Sequence, residues 1–163
     1  MLDRLSADWS CDFSSGKAPY ETARCRMHSD PVLLVKPMTF MNRSGMALAH
    51  VLQRHPADLE RVLVVCDDFA LPLGKLRFRA RGSDGGHNGL ASVIDKLGTR
   101  EFPRLRMGIG LDPGKETAEY VLSRFRKTEK EAVDSMIDRA CEAVADFIQH
   151  GIHHAMNRWN RSS

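Results

Sequence analysis

Val62-Leu63-Val64-Val65-Cys66-Asp67-Asp68, closely followed by Lys75-Leu76-Arg77-Phe78-Arg79-Ala80-Arg81, is the stretch whose reading decides the fold. The first run is apolar and too short for a buried helix, so it reads as a strand, Val62 to Cys66, covered on both faces, with Asp67 just past its end. The second alternates with period two, putting its cations on one face and Leu76, Phe78 and Ala80 on the other. Leu71-Pro72-Leu73-Gly74 turns the chain between them. A glycine-rich loop, Gly82-Ser83-Asp84-Gly85-Gly86-His87-Asn88-Gly89, comes next and leads into a helical pattern from about Asn88 to Leu97. Glycine allows close backbone approach, and a helix start behind it offers amide donors to a ligand.

The same alternation extends outward in both directions. Met1 to Trp9 carries Leu2, Leu5 and Trp9 at helical spacing, and two strands, Ala23 to Arg26 and Pro31 to Lys36, turn at His28-Ser29-Asp30. Ser44-Gly45 starts a helix that runs to His55-Pro56. Beyond the glycine loop, Leu105 to Ile109 reads as a buried strand. A long amphipathic helix follows, Glu129 to His150, and then a final basic helix from Ile152 to about Trp159. Strands alternating with helices predict an α/β fold: a single domain, residues 1–163, with a mixed, mostly parallel sheet flanked by helices. Ligands then gather beyond the strand ends, where Asp67 and Asn42 fall.

The composition, 42% hydrophobic and 28% charged over 163 residues, suits one globular domain. No run is long enough to cross a bilayer, and the N-terminus lacks a signal-peptide core, so no membrane association and a cytoplasmic location are expected. Cys11, Cys25, Cys66 and Cys141 lack metal-ligand spacing and read as reduced thiols, with neither zinc site nor disulfide framework. The net charge of +3 is uninformative beside its placement. Lys75, Arg77, Arg79 and Arg81 form a like-charged row, explained either by bound phosphate or by dispersal of the cations in water.

Blocks of residues now carry a resemblance. Lys-Pro-Met-Thr-Phe-Met-Asn-Arg-Ser-Gly at 36–45, Cys-Asp-Asp-Phe-Ala-Leu-Pro-Leu-Gly at 66–74, Gly-Gly-His-Asn-Gly-Leu at 85–90 and Arg-Leu-Arg-Met-Gly-Ile-Gly at 104–110 resemble, in order, the bacterial peptidyl-tRNA hydrolase family. The resemblance implies hydrolysis of the ester between a peptide and the terminal ribose of tRNA, without metal or organic cofactor, by a monomer whose partner is peptidyl-tRNA. It implies that Asp67 orients a catalytic histidine and that Asn42 and Asn88 contact the substrate. Phe40 lines the site, and Arg79 and Arg106 recognise the 5′ phosphate of tRNA.

The same comparison implies a departure. The family's opening strand, its Gly-x-Gly-Asn-Pro-Gly turn and its Thr-Arg-His-Asn segment have no counterpart here, so an N-terminally truncated chain of weak or no activity is expected. The alternative is a catalytically dead tRNA-binding or RNA-binding module of the same fold. His87 is the foremost substitute for the missing base, although the family histidine it matches coexists with the catalytic one. His150, His153 and His154 cluster near the C-terminus without a matching acidic ligand, so no metal is expected there. Each site assignment also has a plain structural reading: Asp67 and Asp68 as a strand end and turn cap, Phe40 and Met41 as core, Arg104-Leu105-Arg106 as a half-exposed strand.

Overall fold

A computed structural model describes residues 1–111 and 120–161. They form two compact units: residues 1–62 with 81–102, and residues 63–80 with 103 to the C-terminus.

The first unit opens with α1, Leu2–Asp8, whose Leu5 is buried. Lys36 ties this helix to the following hairpin through Asp3. Strands β1 (Ser14–Ser15), β2 (Tyr20–Met27) and β3 (Asp30–Pro37) form a three-stranded antiparallel sheet in sequence order. Along β2, buried Ala23, Cys25 and Met27 alternate with exposed Arg24 and Arg26, the period-two pattern of a half-buried strand. Exposed His28 takes φ 55° in the tight turn, as the sequence position suggested. A 3-10 turn at Met41–Arg43 leads into α2 (Ser44–Arg54), and Tyr20, Ala47 and Val51 form a core with Leu33 and Val35. Helix α3 (Asn88–Leu97) is amphipathic and ends at Gly98, whose φ of 67° suits glycine at that cap.

In the second unit, β4 (Val64–Asp68), β5 (Leu76–Arg79) and β6 (Arg104–Gly108) form a sheet in the order β4-β6-β5. Leu76, Phe78 and Leu105 are completely buried. Helix α4 (Lys130–Trp159) covers that face, with Phe147 stacked on Phe78 at 6.4 Å between ring centres. Its backbone breaks at Gly151 (φ 78°, ψ 179°), where the sequence divided two helices. Asn160, just past its end, treats the edge of β5 as a strand would. Its Oδ1 accepts the Phe78 N–H at 2.7 Å and its Nδ2 donates to the Phe78 carbonyl at 3.1 Å. That pairing blunts an open sheet edge.

Two expectations are corrected. The sheet is not mostly parallel: among the described strands only β4 and β6 pair in parallel, while β1–β2, β2–β3 and β5–β6 are antiparallel. The two-residue turn at His28-Ser29 permits only an antiparallel pair, whereas β4 and β6 are separated by a connection long enough to contain α3. Nor are all four cysteines thiols. Cys11 and Cys25 form a disulfide with Cα atoms 5.3 Å apart, within the range a disulfide spans. The turn after α1 brings Cys11 beside β2, a contact that spacing alone does not encode. No helix among the described residues is long and apolar enough to cross a membrane.

Candidate active site

The sequence blocks interlock two by two. In the first unit, block 36–45 locks onto block 85–90 and the helix behind it. A Cβ on Gly89 would lie 2.6 Å from Met41 Sδ and 2.8 Å from His87 Cε1, so glycine leaves the room that Met41 takes over the start of α3. One helical turn further, a Cβ on Gly45 would lie 2.0 Å from the Ser92 carbonyl oxygen. The Gly45 N–H instead donates to Ser92 Oγ at 3.0 Å. The turn bearing Asn42 is thereby packed against α3, whose first residue is Asn88.

Asn42 and Asn88 are both exposed, their amides presented to solvent rather than spent on the core. Phe40 is 79% exposed, with Met38, Met41 and Met46 exposed around the same turn. Burial would have hidden a phenylalanine at negligible cost, so this exposure sets aside the reading of Phe40 and Met41 as core. Met38, Thr39, Phe40 and Arg43 line a shallow cavity of about 280 Å³.

The glycine loop is organised from within. Asp84 Oδ1 accepts the Gly86 N–H at 2.8 Å, and its carbonyl accepts the His87 N–H at 3.1 Å. The first of these bonds is the main reason the Asp84 carboxyl is held below its ordinary range. Gly85 and Gly86 take φ 60° and 83°, which the turn requires. His87 is the N-cap of α3, and its Nδ1 accepts the Leu90 N–H at 3.1 Å. That bond occupies one ring nitrogen and satisfies an orphan amide, so the candidate substitute base is a helix cap.

In the second unit, blocks 66–74 and 104–110 fold together. The Asp68 carbonyl accepts the N–H groups of Leu71 and Ile109, and the Leu71 carbonyl accepts that of Gly110 at 2.9 Å. Gly108 cannot carry a side chain, because its Cβ would fall 2.1 Å from the Pro72 carbonyl oxygen. Asp67 lies inside β4 rather than beyond it, half-buried and in register with Met107. The adjacent pair splits by strand alternation. Asp68 is 5% exposed, its Oδ1 accepts the Ala70 N–H at 2.9 Å, and its Oδ2 lies 3.0 Å from Arg106 Nε. The strand-end and turn-cap role therefore belongs to Asp68, leaving Asp67 on the opposite face. Within β4, burial and then the neighbouring Asp67 charge push the Cys66 thiol up to about 12, away from the reactive thiolate.

The basic row also changes composition. The strand is only Leu76–Arg79, and Arg81 pairs instead with Glu101 at 3.6 Å. Register sets Arg77 opposite Arg106 and Arg79 opposite Arg104, so the charged face extends sideways across two strands. Arg79 and Arg106 are diagonal neighbours on that face. Arg79 is exposed; Arg106 is partly buried against Asp68. Arg104 is only 1% exposed, far from the half-exposed strand expected for Arg104-Leu105-Arg106. The sequence shows these arginines but not their cross-strand register, which depends on a partner strand about thirty residues away.

The fold is of the α/β class: its first unit exposes two amides and an aromatic at a glycine-organised helix start, and its second carries an acid-bearing basic sheet. Residues 1–163 match the family model described as peptidyl-tRNA hydrolase. The chain is 40% identical to the peptidyl-tRNA hydrolase of Chlorobaculum parvum, over 99% of this chain and 86% of that protein. It is 41% identical to that of Caldanaerobacter subterraneus subsp. tengcongensis, over 98% and 86%. The crystal structure of peptidyl-tRNA hydrolase from Acinetobacter baumannii superposes with a TM-score of 0.90 at 29% identity, covering 98% of this chain and 82% of that one. The chain belongs to the peptidyl-tRNA hydrolase family, and so to the hydrolases. These matches run over nearly the whole chain and over 82–86% of the proteins matched, and they lend no support to an inactive protein.

Proposed function

We propose that this protein hydrolyses the ester joining a peptide to the terminal ribose of tRNA, releasing the peptide and recycling the tRNA. Water adds to the ester carbonyl, the carbon–oxygen bond to the ribose breaks, and the proton taken from water goes to the departing ribose oxygen. By the family resemblance, a histidine in its neutral form takes that proton and Asp67 holds that imidazole in its working orientation. Asn42 and Asn88 donate amide hydrogens to the substrate, stabilising charge that develops on the carbonyl oxygen. Phe40 lines the peptide's path. Arg79 and Arg106 recognise the 5′ phosphate, whose extra charge over an internal diester favours a tRNA end. No cofactor takes part, and the whole of 1–163 acts as one monomeric domain in the cytoplasm.

The observation that carries this reading is the exposed Phe40 and Asn42 on a turn seated against the start of α3, held there by Met41 over Gly89. Exposing an aromatic and two amides on so closely fitted a scaffold is useful for binding and for little else. Purified chain is tested on peptidyl-tRNA together with Asn42→Ala and Asn88→Ala. Loss of one substrate hydrogen bond predicts kcat/KM lower by about tenfold in each. Wild-type turnover in both variants refutes the site.

One further element concerns the base. His87 commits Nδ1 to capping α3, so it is proposed to hold the glycine loop rather than to serve as the base. A second reading, a tRNA-binding module without hydrolysis, draws on the same commitment. Rapid turnover abolished by His87→Ala overturns both. Binding of tRNA without any release of peptide selects the second.

A further inference from the structure

Asp146, His150 and His154 fall on α4 at intervals of four residues. In an unbroken helix, eight residues separate the first and last by about 12 Å along the axis, so they could share no ion. The break at Gly151 changes this. His154 Nε2 comes to 3.4 Å and His150 Nε2 to 3.9 Å from the same oxygen, Asp146 Oδ1, and one ligand atom from each residue lies within 4.8 Å of the others. The imidazole rings are 4.6 Å apart, tilted by 46°. The acidic ligand that the sequence did not offer to the histidine cluster is thus Asp146, buried to 6% exposure.

We propose that Asp146, His150 and His154 bind a divalent transition-metal ion of the zinc class, with water at the remaining position. Two imidazoles and one carboxylate are a ligand set this class prefers. Bonds of about 2.1 Å to a tetrahedral ion separate ligand atoms by about 3.4 Å, close to the observed spacing. The support around the carboxylate is already built: Trp159 Nε1 donates to Asp146 Oδ2 at 2.9 Å, fixing the plane in which Oδ1 is presented. Arg158 Nη1 donates to Oδ1 at 3.2 Å and is the competing cation. Its side chain is mostly exposed and swings into solvent when the metal enters. Both histidines are half-exposed, which leaves a path for the ion. Because the ligands lie on either side of Gly151, the ion staples the last helical segment onto the long one.

The test titrates Zn²⁺ into the dialysed full chain by calorimetry. One ion per chain is expected, with affinity at least about tenfold weaker in His150→Ala/His154→Ala and in Asp146→Asn. Asparagine keeps an acceptor for Trp159, so that variant separates loss of the ligand from loss of the fold. His153→Ala, outside the cluster, should bind as wild type does. Zn²⁺ should raise the Tm of the wild type and not of the double variant. Co²⁺ added to the unmutated chain should give the intense visible bands of a tetrahedral nitrogen–oxygen site, a readout that needs no variant. Absence of those bands, equal Zn²⁺ affinity in wild type and double variant, or an equal loss in His153→Ala overturns the proposal.

Discussion

Replacing Gly45 with alanine tests the joint that holds the proposed substrate-binding turn. The added Cβ would meet not a flexible side chain but the backbone of Ser92, at 2.0 Å from its oxygen and 2.5 Å from its carbon. The oxygen must retreat by about 1.4 Å to reach an ordinary contact at 3.4 Å, and because it belongs to the middle of α3, the two helices have to part. Such overpacking costs about 1–3 kcal/mol. Separation also breaks the bond from the Gly45 N–H to Ser92 Oγ, worth about 1 kcal/mol. Against these stands the helical preference of alanine over glycine, about 1 kcal/mol. The net loss is about 2 kcal/mol, or roughly 4–8 °C in Tm for a chain of this size. Urea and thermal denaturation measure it, with Gly16→Ala as control, since a Cβ there meets nothing within 4 Å. Peptidyl-tRNA affinity should fall as well, because the same displacement carries the turn with Asn42 away from α3. A Gly45→Ala protein as stable as wild type, or more so, refutes the close crossing.

Further perturbations separate structural from binding roles. Cys11→Ser/Cys25→Ser should lose about 3 kcal/mol in urea, the constraint of a cross-link about fifteen residues long; reductant should bring wild type down to the variant, and equal stability of the two under oxidising conditions would discard the cross-link as a stabiliser. Arg79→Ala and Arg106→Ala should each flatten the salt dependence of tRNA binding. Only Arg106→Ala should also destabilise the fold, by about 3–5 kcal/mol, because it strands the buried Asp68 charge. Unchanged stability in Arg106→Ala would show that this pair contributes nothing. Asp84 gives a pH test: its folded value lies below the ordinary 3.8, so its stabilisation is complete above pH 3.8 and disappears as pH falls through the folded value. Asp84→Asn should therefore show a shallower acid transition than wild type, and parallel curves would dismiss the Gly86 contact as a stabiliser.

What could be read from the chain in advance was local. The break between two C-terminal helices was legible because Gly151 stands between two periodic segments, and the start of α3 because glycines and a polar pair precede an apolar stripe. Strand limits shifted where a distant strand decided them. The apolar run suggested Val62 to Cys66, yet β4 is Val64–Asp68, since pairing with Met107 and Gly108 draws both acids into the ladder. The Cys11–Cys25 bond was invisible for the same reason: residues fourteen apart meet only because a turn returns the chain to β2.

Charged residues show the limit most sharply. From strand pattern alone, Asp67 and Asp68 are told apart only by which comes first, and Arg104 and Arg106 are two cations of one alternating strand. Parallel register then assigns them different fates. Cys66 lies opposite Arg106, so Asp68, two residues on and on the same face, lies within ion-pair reach of its guanidinium, while Asp67 takes the other face with Met107. Neutralising Arg106 in this way lowers the repulsion among four arginines on adjacent strands and leaves Arg79 as the exposed member of the four. A single register shift would exchange the faces of Asp67 and Asp68 and reverse which acid is structural. The role proposed for Asp67 thus depends on the pairing of β4 with β6, and so does the availability of the arginines, so mutations at this strand pair should disturb binding and catalysis together.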